Sequence, residues 1–485
     1  DNRRSRGLGD VYKRQYIHHY PQVVFRRKIM SDINRIKERI NFCIEGELWD
    51  QIPTFLNNLH PADIAEIINQ APEGVQNSLF ELLNQEIKPD VMAELDQQAE
   101  FDVLEELSDE EISDIVEEMA PDDAADLLGD LEDEQREEIL ELMEEEESDE
   151  VRELLKYDED TAGGIMTSDF IAIRADMNVS QALKYIRTLD IEEAVYFAYV
   201  VSSDGKLQGY IQIWDLIRNT NLEKPLSSFF INDTISVKTY TDQEEVAKIA
   251  SKYDLSSMPV VDDNNILVGR ITVDDIIDVI EEEASEDIFK LAGSNDSELE
   301  YKSPIHAVKA RLPWLMITLF AGLISTLILK QFMNKFEDIL MLSFFVPVIM
   351  AMAGNTGIQS STLIVRGLAV GSINENGIGK LLFREFYAGA LMGLVSGIVA
   401  GIWSSFIGGN ESSVPSHYLA LTVGISLFSA MMFAAVFGAF APLILNKLKA
   451  DPAVASGPFV TASNDILALL IYYGVAIGLI FINAG

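Results

Sequence analysis

From residue 312 to the C-terminus the chain is a train of apolar runs, at about 312–331, 339–366, 384–408, 418–446 and 454–483. A hydrocarbon core about 30 Å thick takes about 20 helical residues to cross. Inside it every backbone N–H and C=O must find an internal partner, so each run is expected to be a membrane-spanning helix. One acid, Asp465, sits inside the last run. With a rise of about 1.5 Å per residue it falls near mid-depth. An ionised carboxylate there costs at least ~2.5–3.5 kcal/mol, so it should face water, a cation or a partner. The plainer alternative is an aspartate hydrogen-bonded to a neighbouring helix.

Two of the runs carry helix breakers. The second contains Pro347 and then Met352-Ala-Gly-Asn-Thr-Gly-Ile-Gln-Ser; the last follows Asp451-Pro-Ala and contains Gly457-Pro. Interrupted helices free backbone carbonyls, which membranes tolerate only where protein or a water-filled path covers them. Asn355, Thr356, Gln359, Ser360, Thr461, Ser463, Asn464 and Asp465 are hydrogen-bonding groups without positive charge. Any one of them alone reads as glue between helices. As a cluster with Asp465 they read as the wall of a cation path. Basic residues set the orientation. Lys302, Lys309 and Arg311 precede the first run, Arg366, Lys380 and Arg384 flank the second loop, and Lys447 and Lys449 follow the fourth run. The third loop, Gly408 to His417, has neither Lys nor Arg, and Lys330 and Lys335 weaken the bias without reversing it. The N-terminal half is expected in the cytoplasm and the C-terminus outside, in a multi-pass protein of the cell membrane.

A net charge of −42 beside a mean hydropathy of +0.12 is resolved by the same split. Acids crowd residues 45–300. So acidic a region argues against nucleic acid and for cations as ligands. The lone Cys43 excludes internal disulfides and cysteine metal clusters, as suits a cytoplasmic region. Residues 1–15 read as translated adapter or cloning sequence, within a leader of residues 1–30 expected to be non-native or disordered, with Met30 the expected start.

Residues 31–160 form an acidic, helical N-domain by pattern. A phrase recurs in it: His60-Pro-Ala-Asp-Ile-Ala-Glu-Ile-Ile, Ser108-Asp-Glu-Glu-Ile-Ser-Asp-Ile-Val and Ala120-Pro-Asp-Asp-Ala-Ala-Asp-Leu-Leu. Each copy places a helix start before apolar positions four apart, as in a small superhelix of stacked short helices. Strand–helix alternation follows, with an internal duplication at an offset of 60: Val200-Val-Ser-Ser-Asp-Gly-Lys-Leu-Gln-Gly-Tyr-Ile-Gln-Ile-Trp-Asp matches Val260-Val-Asp-Asp-Asn-Asn-Ile-Leu-Val-Gly-Arg-Ile-Thr-Val-Asp-Asp. With Gly164-Ile-Met-Thr before the first copy and Leu255-Ser-Ser-Met-Pro-Val-Val in the second, this resembles a tandem pair of α/β cystathionine-β-synthase-type (CBS) domains, at 161–220 and 221–280. CBS pairs often hold adenine nucleotides through a hydroxyl and an aspartate after the second strand of the copy. The second copy keeps Thr272 and Asp275; the first keeps Asp215 but has Gln212 in place of the hydroxyl. The resemblance therefore leaves one candidate nucleotide site, with ATP binding open.

After the second copy runs Asp274-Asp-Ile-Ile-Asp-Val-Ile-Glu-Glu-Glu-Ala-Ser-Glu-Asp-Ile. As a helix it groups Asp275, Asp278, Glu282 and Glu286 on one face and Ile276, Ile280, Ala284 and Ile288 on another. Such a stripe of carboxylates repels itself unless divalent cations sit against it, and oxygen donors suit Mg²⁺ or Ca²⁺ and not zinc. An ordinary acidic linker is the plain alternative. The helix leads through residues 281–311 into the five-helix transmembrane domain of 312–485, so its position could report cation occupancy.

Taken together, residues 31–485 resemble the MgtE family of magnesium channels: acidic helical N-domain, CBS pair, connecting plug helix, five spans. The most specific phrases are Ala353-Gly-Asn-Thr-Gly-Ile-Gln-Ser, Asp451-Pro-Ala, Ser456-Gly-Pro-Phe-Val-Thr, Asn464-Asp465, Thr241-Asp-Gln-Glu-Glu-Val, and Thr272-Val-Asp-Asp through Glu286-Asp-Ile. The resemblance implies a homodimer in membrane lipid whose second and fifth spans line a Mg²⁺-selective pore, with Asp465, Asn355, Asn464 and Thr461 on the ion path. It also implies a cytosolic Mg²⁺ sensor built from Asp242, Glu244, Asp275, Asp278, Glu283, Glu286 and Asp287, joined by Glu110 and Asp114 of the N-domain. A broader divalent selectivity, with Co²⁺ and Mn²⁺, is the alternative. Family members can carry Asn near the pore mouth where this chain has Gly457. A CBS-bearing membrane protease would need two histidines at zinc spacing on a helix. His18, His19, His60, His306 and His417 form none. An acid in the pore and no base deep in the spans oppose an anion channel.

Overall fold

The computed structural model describes residues 35–57, 59–72, 74–189, 195–294, 304–333, 340–373, 377–407, 416–455 and 457–484. The expected leader, Lys302, Lys335 and most of the third membrane loop lie outside the described residues. The chain divides into two units, Asp1–Gln243 with Ser256–Val273, and Glu244–Leu255 with Asp274–Gly485.

In the first unit the recurring phrases become short helices, each started by its own cap. His60 Nδ1 accepts from the Ala62 amide at 3.3 Å, and Pro61 opens the helix Pro61–Asn69. Ser108 and Glu111 form a reciprocal capping box at Asp109–Val116. Pro121 opens Pro121–Gly129. These devices satisfy amides that a short helix cannot bond internally. Arg136 serves the opposite end, donating to the carbonyls of Leu128, Gly129 and Leu131 at 2.8–3.1 Å. The apolar positions four apart, including Ile64, Ile68, Ile112, Val116, Ala124 and Leu128, are buried; the acids between them are mostly exposed.

The duplicated region gives two three-stranded sheets, β1 (Ala172–Arg174), β2 (Phe197–Val201), β3 (Leu207–Gln212), and β4 (Val237–Lys238), β5 (Ser257–Val261), β6 (Leu267–Thr272). Each pairs its first two strands parallel and its last two antiparallel, with the same irregularity, at Val200/Val201 and at Val260/Val261. Registers repeat at the offset of the sequence duplication: Phe197 faces Gln212 as Ser257 faces Thr272. The segment before the first copy is exchanged. Ala162 and Gly163 donate to Thr241 and Thr239, and Thr167 pairs with Arg270, so Gly164-Ile-Met-Thr introduces the first copy while pairing with the second.

The second unit holds the connecting helix, Val273–Ala292, and five helices long and apolar enough to cross a membrane: Ala307–Met333, Met341–Ala369, Ile378–Ile407, Ser416–Lys447 and Gly457–Leu479. Small residues let them approach closely. Gly389, Gly393, Gly397 and Gly401 of the third span abut Ala435, Phe428, Gly424 and Ala420 of the fourth, and Gly438 of the fourth abuts the Gly357 backbone of the second.

The breaks are not where the sequence placed them. The second span is interrupted at Phe344–Phe345, between Leu340–Ser343 and Val346–Ala369, and runs helical through Gly354-Asn-Thr-Gly. The fifth span is helical from Gly457 onward, with Pro458 in its first turn. Proline is tolerated in a first turn, where its missing N–H would have no helical partner anyway. Both prolines therefore mark helix starts and not internal breaks. The real interruption is covered as a membrane requires: the buried Tyr472 of the fifth span donates its hydroxyl to the Leu342 carbonyl at 2.7 Å.

Candidate cation path and regulatory acids

Gly354 of the second span brings its backbone against the fifth. A methyl group added there would lie 3.5 Å from Thr461 Cγ2 and 3.7 Å from an Asp465 carboxylate oxygen. Asp465 and Thr461, one turn apart, thus share the face of the fifth span that meets Gly354. Asp465 is half-buried, and among the described residues nothing donates to it. Thr461 spends its proton on the Gly457 carbonyl at 3.0 Å, leaving its oxygen as an acceptor. Asn355 and Gln359 are exposed on the second span. Asn464 goes elsewhere: it is 1% exposed, both side-chain polar atoms lack partners, and its amide fills the space where a Gly357 side chain would be. Thr356 donates back to the Met352 carbonyl in its own helix.

A second acid of the membrane half went unread. Glu385 is 5% exposed, accepting from Ser360 Oγ at 3.0 Å and from Arg384 at 3.1–3.3 Å. The signal was present, but starting the third run at 384 put the acid at an edge. The helix begins at Ile378 and carries Glu385 two turns inward.

The connecting helix reaches the fifth span through glycine. A Cβ on Gly457 would lie 2.1 Å from the Leu291 carbonyl oxygen, a contact no side chain permits. Gly293, at φ +74°, takes the left-handed turn that ends the helix beside Pro458. A cation fixes this joint. Lys290 Nζ bridges Glu286 on its own helix and Asp451, in the loop before the fifth span, the latter at 2.7 Å. Both carboxylates raise the Lys290 ammonium above its ordinary range, against the effect of its burial. Asp287 beside them is pushed up to about 6, first by burial, then by the charges of Asp451 and Glu244.

The other expected sensor acids differ in exposure. Asp242, Asp278, Glu110 and Asp114 are exposed, and Glu244, Asp275 and Glu283 half-buried. Among the described residues no three His, Cys, Asp or Glu side chains gather as one metal site. Of the apolar stripe on the connecting helix only Ile276 is buried, with Val279 beside it, while Ile280 and Ile288 are exposed. In the CBS pair Thr272 is buried. A cavity of about 590 Å³ opens instead at the first copy, lined by Tyr196, Phe197, Gln212, Ile213, Trp214 and Ser256 among others.

Five helices long and apolar enough to cross a membrane, with an acid of the last one packed against Gly354 of the second, define a multi-pass membrane protein. Family models agree: that of the MgtE divalent cation transporter matches residues 346–475, that of the MgtE intracellular N domain 59–160, and that of the CBS domain 162–220 and 226–282. The chain is 39% identical over 322 residues to the magnesium transporter MgtE of Bacillus subtilis, covering 66% of this chain and 70% of that one. It is 37% identical to the magnesium transporter MgtE of Thermus thermophilus, over 66% and 70%. A crystal structure of the cytosolic domain of the Mg²⁺ channel MgtE in complex with ATP is similar at 30% identity and a TM-score of 0.46, covering 49% of this chain and 98% of that one. The chain belongs to the MgtE family.

Proposed function

We propose that this protein is a Mg²⁺ channel of the cell membrane, passing the ion inward down its electrochemical gradient and closed by Mg²⁺ on its cytoplasmic acids. The observation that carries the reading is the placement of Asp465 and Thr461 opposite Gly354. A hydrated Mg²⁺ keeps most of its water, so its path needs acceptors for those waters, a carboxylate, and no bulky wall. Asp465, the free lone pairs of Thr461, and the exposed Asn355 and Gln359 supply these. Two copies, each giving one Asp465, would form the path, with the C-termini outside.

Repulsion opens the path and shared ions close it. With Mg²⁺ low, acids on the N-domain, the CBS pair and the connecting helix repel one another. With Mg²⁺ high, ions shared between these parts hold them together. Binding shifts gating only by as much as it prefers the closed state, and several weak shared sites give both preference and steepness. The joint at Gly457 and Lys290 would carry the shift to the fifth span. ATP binding at the CBS pair is part of this reading, with Thr272 and Asp275 as its expected contacts.

The test is divalent flux into proteoliposomes holding the full chain. Asp465→Ala should abolish Mg²⁺ flux, and Asp275→Asn with Asp278→Asn should leave flux that sensor-side Mg²⁺ no longer suppresses. Unchanged flux in the first variant would remove Asp465 from the path; normal closure in the second would remove those acids from the sensor. Co²⁺ or Mn²⁺ flux equal to that of Mg²⁺ would favour the broader selectivity.

A further inference from the structure

Glu385 differs from Asp465 in being fully engaged. It lies in the third span on the face continued by Gly389, Gly393, Gly397 and Gly401, which packs on the fourth span. A carboxylate buried there persists only when its charge is matched. Arg384 supplies part of the match through Oε1, while its own side chain stays 61% exposed and reaches outward. The other oxygen, Oε2, accepts from Ser360 Oγ at 3.0 Å, a bond from the third span to the second.

The second span packs on the fourth through apolar side chains, Ile349, Ala353 and Ile364 among them, and through the Gly357 and Gly438 backbones. None of these contacts carries a directional polar group. Small-residue contacts set how close two helices come but offer no directional group. A hydrogen bond to a buried carboxylate is both directional and strong. Successive helical residues are turned by about 100°. With Ser360 held toward Glu385, Asn355 and Gln359 come to the exposed side, and Ser361 falls on the closed side at 0% exposure.

We propose that Glu385 is a positioning residue for the cation path. By accepting from Ser360 it fixes the rotation of the second span and turns Asn355 and Gln359 toward water. The inference rests on the pore reading above.

Cys43 is the sole cysteine, so Cys43→Ala supplies a clean background. In the full chain in proteoliposomes, Gln359→Cys or Ser361→Cys is labelled with a charged, water-soluble thiosulfonate. With Glu385 present, Gln359→Cys should react at least about tenfold faster than Ser361→Cys, as befits an exposed against a close-packed position. Glu385→Ala should collapse that ratio toward one. Glu385→Gln, which keeps an acceptor for Ser360, should preserve it. An unchanged ratio in Glu385→Ala overturns the inference, even if thermal stability falls, because packing alone would lower stability without rotating the helix. Should Glu385→Ala fail to assemble, Ser360→Ala removes the donor with little change in volume; the same collapse is expected, and an unchanged ratio again overturns the inference. An unreactive Gln359→Cys beside an intact Glu385 would overturn the pore-facing assignment and this inference with it. Loss of flux in Asp465→Ala with an unmoved labelling ratio would leave the pore standing and remove Glu385 alone.

Discussion

In the N-terminal helices Glu110 and Asp114 lie exposed four residues apart, in the company of dozens of other acids. In the membrane half Asp465 and Glu385 sit inside helices otherwise almost free of acids, each against backbone or side chains of another span. The contrast is one of dielectric. In water each carboxylate is screened and individually weak, so a response built from such groups needs many of them acting together. In the membrane a single carboxylate is expensive, so its position has to be specified by neighbouring backbone and side chains. Under the proposed function, loss of one acid should shift the response in the first region and abolish transport in the second.

The largest break in that contrast should come from Asp465→Leu. The change removes an acid with no donor among the described residues and puts apolar volume against Gly354. Flux should vanish while thermal unfolding moves upward, by about 2–4 °C for each kcal/mol recovered in a region of this size. Loss of both flux and stability would show that Asp465 holds the helices together and is no ion ligand.

Gly457→Ala comes next. Its methyl would meet the Leu291 carbonyl at 2.1 Å, and a backbone carbonyl cannot swing aside as a long side chain can. The connecting helix and the fifth span must separate. The sensor-side Mg²⁺ needed for half closure should rise about fivefold or more, the lower end of ordinary coupling between sites. The measurement is flux against sensor-side Mg²⁺; an unmoved curve would take the joint out of the gating path.

Much of the fold was legible because it rests on local rules. Caps at Ser108 and His60–Pro61 announced the N-domain helices, and the offset of 60 announced two strand pairs whose antiparallel registers repeat. What escaped depended on contacts distant in sequence. That Pro347 and Pro458 begin helices is decided by where the preceding chain turns. That the Leu342 carbonyl at the interruption gains a second donor depends on Tyr472, 130 residues later. Glu385 was lost to a boundary drawn six residues late, and the exchange of the segment around Thr167 to the second CBS copy leaves no trace in a periodic pattern. Of the residues expected on the ion path, Asp465 and Thr461 share the face of the fifth span that meets Gly354. Asn464, adjacent in sequence, points into the helix contact because neighbouring helical positions are about 100° apart.

A smaller effect should follow pH in the N-domain. Glu100 is pushed up to about 7, chiefly by burial and then by the charges of Asp130 and Asp126. Its folded value exceeds its unfolded one of about 4.3. The resulting stabilisation is therefore full below about pH 4 and is lost as pH rises through about 7. Amide exchange in the helix Gln97–Leu104, corrected for intrinsic rate, should quicken from pH 6 to pH 8 in the unaltered chain. In Glu100→Gln it should stay flat. A pH dependence that survives the substitution would assign it to another group.

The smallest effect tests the acid-rich region on its own terms. Glu110 and Asp114 repel each other across one helical turn by about 0.2–0.5 kcal/mol. With chelator present, Glu110→Gln with Asp114→Asn should therefore melt slightly higher than the unaltered protein, by a degree or so. If the pair also helps to hold Mg²⁺, the ion bound to the folded form stabilises it by mass action, and only the unaltered protein gains. Raising Mg²⁺ should then reverse the order of the two melting temperatures. A crossing of this kind cannot come from repulsion alone, which salt of any sort would merely screen, and an equal concentration of charge as Na⁺ should narrow the gap without inverting it. Parallel curves in Mg²⁺ would mean that these two acids are a solvated face and that the N-domain contributes to sensing through other carboxylates.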